Sequence, residues 1–158
     1  MSKLIEQVVI SKTAEISDDL YELLLLADPS SKMINSYLAR GLIFIASLKH
    51  DIIGEYILLK TRPNILEVVN IAVREDYQQQ GLGKFLLNDA IERARLAGAE
   101  RLEIGTANSS LFQLALYQKL GFRIVGIDKN YFLRHYNKPL YENKIQCFDM
   151  IRLSKKLV

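Results

Sequence analysis

A single cysteine, Cys147, excludes an internal disulfide framework and a cysteine-built zinc site, and in a strand it reads as a small buried hydrophobe rather than a nucleophile. Long apolar runs are equally scarce. The longest near the start, Leu23 to Ala27, is too short to cross a bilayer, and Ser2 to Ile10 lacks the sustained apolar core of a leader segment. The sequence therefore predicts a cytoplasmic protein with no membrane partner. Charge of one sign is also thin. A net charge of +3 suits an anionic ligand but is too small and scattered for nucleic acid, and Arg152, Lys155 and Lys156 read as a solvated tail. His50 and His135 have no partner at metal-ligand spacing, so no metal is predicted. No repeat, low-complexity tract or linker interrupts the 158 residues, which predicts one domain over 1–158.

What is present is an alternation of strand and helix signals. Gln7 to Ile10 predicts a first strand, and Ser17 or Asp18 caps a helix with Leu20, Leu23, Leu24 and Ala27 on one face. A second short helix starts at Ser30 or Ser31. Leu42 to Leu48 and Ile52 to Lys60 predict a hairpin, with Gly54 marking a bulge or a close backbone approach. Ile65 to Val73 is the central strand. A helix follows from Gly81 to Gly98, then a strand from Arg101 to Gly105, a helix from Ser110 to Leu120 and a strand from Phe122 to Ile127. Asp128 to Lys144 predicts a polar, aromatic loop, before a closing strand from Ile145 to Leu153. The resulting fold class is α/β (α+β), a mixed sheet of about seven strands with about four flanking helices.

The stretch Glu67 to Lys84 organises the rest. A strand, a glycine turn and a helix N-terminus in that order make an anion site, because the first helical amides have no internal partner and the helix dipole favours negative charge there. Two phosphate motifs fail. A P-loop requires Gly at position 78 and a hydroxyl residue at 85, where Gln78 and Phe85 stand. The dinucleotide fingerprint meets Leu86 at its third small position and lies mid-chain rather than on an early strand. The pattern that fits is Gln/Arg-x-x-Gly-x-Gly/Ala, at Gln78, Gly81 and Gly83. A second stretch, Leu116-Tyr117-Gln118-Lys119-Leu120-Gly121-Phe122, follows one strand and one helix later. Together these resemble the GNAT N-acetyltransferase superfamily, as does the order of elements from end to end.

The resemblance implies acetyl-CoA as co-substrate. Its diphosphate would be held by Gln78, Gln79, Gln80, Gly81, Leu82, Gly83 and Lys84, with Lys84, Arg74 and Lys119 as charge donors. It implies that backbone amides of Ile71, Ala72 and Val73 bind the pantetheine arm, one of them serving as an oxyanion donor. The side-chain contact to that arm falls to Asn108 or Ser110, because the usual Asn position, seven before the tyrosine, is Ser110 here. Tyr117 is the candidate acid for the departing thiolate. Glu67, eleven residues before Gln78, is the candidate base, with Glu55 and Glu103 as alternatives. A base is needed because an amine of pKa about 10.4 is neutral only about once in a few thousand molecules at pH 7. The predicted activity is direct acetyl transfer to a primary amine of a small molecule or protein, by a monomer or homodimer. The alternative is a CoA-binding sensor on the same fold. The aromatic segment Tyr131 to Tyr136 caps the acceptor site or serves a dimer contact.

Overall fold

The computed structural model describes residues 3–158; Met1 and Ser2, the start of the stretch read for a leader, lie outside it. A short helix α1 (Lys3–Gln7) leads into β1 (Val8–Thr13), then α2 (Asp18–Ala27) and α3 (Ser31–Leu38). The hydroxyls of Ser17 and Ser30 accept from the amides of Leu20 and Met33, so each serine spends its side chain on starting a helix. A meander follows of β2 (Leu42–Leu48), β3 (Asp51–Arg62) and β4 (Ile65–Val73), and Glu75–Tyr77 forms a single 3-10 turn. Next come α4 (Leu82–Leu96), β5 (Arg101–Ala107), α5 (Leu111–Lys119), β6 (Arg123–Asp128), α6 (Tyr131–His135), β7 (Tyr141–Glu142), β8 (Ile145–Gln146) and β9 (Met150–Lys156).

The main sheet runs β1-β2-β3-β4-β5-β9-β6, and β7 and β8 form a separate small hairpin. Among the described strands only β4 and β5 pair in parallel, as a crossover through α4 requires. Gly54 serves both roles foreseen for it. Ile53 is the extra residue between the Ala46–Gly54 and Ser47–Ile52 pairs, and a Cβ on Gly54 would stand 3.1 Å from Leu86 Cδ1. The mixed α/β architecture expected from the sequence is therefore present.

Three local expectations are corrected. The first strand begins at Val8 because Lys3–Gln7 closes a helical turn whose Leu4 and Ile5 pack on the core. The single closing strand is two, since Cys147 to Asp149 leaves the extended path, its backbone tied to Leu140 and Asn108. Arg152, Lys155 and Lys156 are no tail: all three lie in β9, between β5 and β6.

The two sheet faces differ. One is covered by α4 and α5 over a core that includes Tyr56, Leu58, Val68, Leu86, Leu102, Tyr117 and Leu153. The other is covered by α2 and α3 over Leu20, Leu24, Ile34, Tyr37, Ile57 and Leu59. Leu66 and Val68 belong to the first face, so by strand alternation Glu67 points to the second.

Candidate active site

The central feature is where β4 and β5 part. Their parallel register covers only Ile65–Val68 against Arg101–Ile104, and beyond it Ile71–Val73 and Gly105–Ala107 are not paired with each other. On its other side β4 stays zipped to β3, with Ile71, Ala72 and Val73 opposite Tyr56, Glu55 and Gly54. The Arg74 amide donates to the Ile53 carbonyl at 2.8 Å, and amides alternate sides along a strand. It follows that the Ala72 amide faces β3 while those of Ile71 and Val73 face the opening. The Val73 carbonyl agrees, since it accepts from Gln78 Nε2 at 2.9 Å on that open side. Of the three amides named from the sequence, two are on the open side and one is turned into the ladder.

Just past the opening the chain bends into α4 through two left-handed positions, Gln79 (φ 62°) and Gly81 (φ 85°). A left-handed conformation costs a non-glycine residue about 1–2 kcal/mol, so Gln79 holds local strain. The first bond inside α4 runs from the Phe85 amide to the Gly81 carbonyl, no side chain caps the start, and no acidic residue lies in the first turn. The amides of Leu82, Gly83 and Lys84 are thus unspent donors at the positive end of a fifteen-residue helix. A Cβ on Gly83 would stand 4.0 Å from Leu116 Cδ2, so the turn sits against the helix that carries Tyr117. Lys84 in the first turn of α4 and Lys119 at the end of α5 are exposed, whereas the Arg74 guanidinium is held by Asp76 through bonds of 2.7 and 2.9 Å. An anionic diphosphate fits this donor set.

Tyr117 lies in the α4/α5 core, only 5% exposed, with its ring tilted against Phe122 at 6.2 Å. Burial pushes its phenol well above the ordinary value, and the Glu142 charge adds to the rise, so the hydroxyl keeps its proton at every ordinary pH. Among the described residues no group hydrogen-bonds that hydroxyl. Asn108 is committed elsewhere: its Nδ2 donates to the Gln146 carbonyl and its Oδ1 accepts from the Phe148 and Asp149 amides, stapling the end of β5 to the segment before β9. Ser110, buried at the start of α5, makes no side-chain capping bond and keeps its hydroxyl free.

On the opposite face Glu67 lines a cavity of about 330 Å³ with Arg62, Glu103, Ile104, Arg152 and Leu153. Burial raises its carboxyl above the ordinary value; Arg152 pulls it down, Glu103 adds to the rise and Arg62 opposes it. Glu103 is held by Arg62 at 3.1 Å. Glu55, the other alternative base, is fully buried with neither oxygen partnered, and desolvation lifts its carboxyl far above the usual range. Its burial favours the protonated form.

The aromatic segment lies on this same face. The Tyr136 hydroxyl donates to Asp28 at the end of α2 at 2.7 Å, and the Tyr131 ring lies 5.7 Å from the Arg152 guanidinium. Arg152 is the residue that reading the sequence missed. Its signal was Gly105, the residue opposite it in β5, where a Cβ would collide with the Met150 side chain and crowd the Arg152 guanidinium. Cys147 is buried, with its sulfur 3.0 Å from Ser109 Oγ, and burial raises its thiol. Among the described residues no cluster of three metal-ligating side chains occurs, and no helix is long and apolar enough to cross a membrane.

Comparison with known proteins agrees with this geometry. Residues 12–122 match the model of the Acetyltransferase (GNAT) family. The chain is 55% identical over 139 residues to the uncharacterized N-acetyltransferase YvbK of Bacillus subtilis (strain 168), covering 88% of this chain and 90% of that one. A crystal structure of a Bacillus subtilis acetyltransferase in complex with CoA superposes with a TM-score of 0.92 at 52% identity, over 96% of this chain and 99% of that one. A GNAT family acetyltransferase from Elizabethkingia anophelis with acetyl-CoA bound gives a TM-score of 0.92 at 44% identity, with the same coverage.

Proposed function

The chain belongs to the GNAT acetyltransferase family, and from that premise we propose that it transfers the acetyl group of acetyl-CoA to a primary amine bound on the Glu67 face, by direct attack with both substrates present. Acetyl-CoA is the co-substrate and supplies an acyl group activated as a thioester. The observation that carries the reading is the break in the sheet beside unspent helix amides. The opening has an anion site on its α4 side, and the Glu67 carboxylate lies on the opposite face of the same strand.

The roles follow from what each group has free. Amides from Gln79 to Lys84 grip the diphosphate, with Lys84 and Lys119 adding charge. Amides of Ile71 and Val73 take the pantetheine arm, and one of them polarises the acetyl carbonyl; the Ala72 amide has no share in this. Ser110 supplies the side-chain contact, because Asn108 has spent its own. Tyr117 Oη keeps its proton and offers it to the departing sulfur. Glu67 takes the ammonium proton, directly or through water. Among the described residues no serine or cysteine is paired with a base, and the transfer proceeds without a covalent enzyme intermediate.

Thiol release from acetyl-CoA against a panel of amines tests this. Turnover with intersecting initial-rate lines is the expected outcome. Parallel lines contradict direct attack, and tight cofactor binding with no turnover makes the protein a sensor instead.

A further inference from the structure

The Glu67 cavity holds more than a base. Arg152 on β9 reaches over β5 at Gly105, where a Cβ would stand 3.4 Å from its Nη1. Its guanidinium stops 3.8 Å from Glu67 and 3.9 Å from Asp128, beyond hydrogen-bond range of either. The neighbouring charges are better matched: Arg62 makes two bonds to Glu103, and Arg134 is bonded to Asp128. Glu67 and Arg152 are therefore the loosely paired members of an otherwise balanced cluster, one offering an unfilled acceptor and the other an unfilled planar fork. The Tyr131 ring within 6 Å restricts the plane of that fork. A guanidinium so presented is shaped for bidentate capture of a carboxylate.

We propose that the acceptor is a small amino carboxylate, its amine directed to Glu67 and its carboxylate held by Arg152. This rests on the reading of the Glu67 face as the acceptor side, and it names Arg152 as the residue that sets acceptor specificity. A zwitterion laid against the Glu67–Arg152 pair forms four alternating charges and leaves the cluster neutral. A protein lysine or a polyamine brings only cations and leaves the Arg152 fork empty.

The test compares free amino acids with their carboxamides as acceptors, in the wild type and in Arg152→Gln. Wild type is expected to prefer the carboxylates, and the variant to lose that preference by roughly 30-fold or more, mostly in KM, because a charge-assisted pair is removed for one acceptor class only. Dividing one class by the other cancels any general damage from leaving Glu67 without its neighbour. Arg152→Lys is expected to restore part of the ratio, since it returns the charge without the fork. Calorimetric titration of the same amino acids into CoA-saturated protein gives a readout independent of turnover, with binding lost in Arg152→Gln. Equal use of both acceptor classes by wild type, or a ratio that Arg152→Gln leaves unchanged, overturns the proposal. Absence of turnover with every amine, while acetyl-CoA still binds, overturns the acetyl-transfer reading beneath it.

Discussion

The two faces of the central sheet are built from the same strands and solve opposite problems. On the α4/α5 face the Tyr56 hydroxyl is satisfied: it donates to Asp89 at 2.5 Å, and Asp89 accepts from Arg93 at 2.8 Å. On the α2/α3 face lie the buried side-chain oxygens that have no partner, both of Glu55 and Oδ1 of Asn70, among the described residues. Asn70 donates to the Leu24 carbonyl and the Tyr37 hydroxyl and still leaves its own oxygen bare. Unpartnered polar atoms cost about 1–3 kcal/mol each. One face is shaped for packing and helix placement. The other accepts that cost where amine chemistry is proposed.

The largest effect that separates the faces is catalytic. Glu67→Gln is expected to lower kcat/KM about 100-fold or more at neutral pH and to erase the acid limb of the pH profile, measured by thiol release. In the wild type that limb lies above the ordinary glutamate value, because burial favours the protonated form and the base is lost as pH falls. A retained limb in the variant removes Glu67 from the role. On the packing face the loss is structural. Leu86→Ala empties a fully buried site under α4 and is expected to cost about 2–5 kcal/mol, read by denaturant unfolding. A loss below about 1 kcal/mol means that the face can collapse around the gap.

Asn108→Ala removes three bonds that hold the segment before β9, and about 1–3 kcal/mol of stability should go with them. The KM for acetyl-CoA should barely move, whereas Ser110→Ala should raise it a few-fold. The reverse pattern restores Asn108 as the cofactor contact. The smallest effect at low pH belongs to Glu55. Its carboxyl is raised in the fold, so the native state binds the extra proton and stability falls as pH climbs above about 4.5. Glu55→Gln should match wild type near pH 4.5 and then gain on it by up to about 1.4 kcal/mol per pH unit while the buried acid stays protonated. Parallel stability curves for the two proteins contradict a neutral Glu55.

Much of this was legible in the sequence because local rules govern it. The glycine turn at Gly81, the serine caps and the β-branched run of β4 each act within a few residues, and each stands where its pattern put it. The polar face was not legible in that way. Arg152 read as part of a tail because its partners, Glu67 and Asp128, are distant in the chain and meet it only through strand order. Asn108 stood beside Ser110 as a candidate pantetheine contact because its three backbone partners, some forty residues later, are not visible in the local sequence. Amide direction was hidden as well: Ala72 and Val73 are adjacent and alike in sequence, and only the register with β3 separates their roles.

The central claim, that a split sheet and bare helix amides together take acetyl-CoA, is tested most directly by amide NMR on a cofactor titration. Saturating acetyl-CoA should shift the amides of Gln79 to Lys84 together with Ile71 and Val73, and leave Ala72 and the β1–β2 edge nearly still. Shifts gathered elsewhere, with the turn before α4 unmoved, contradict it.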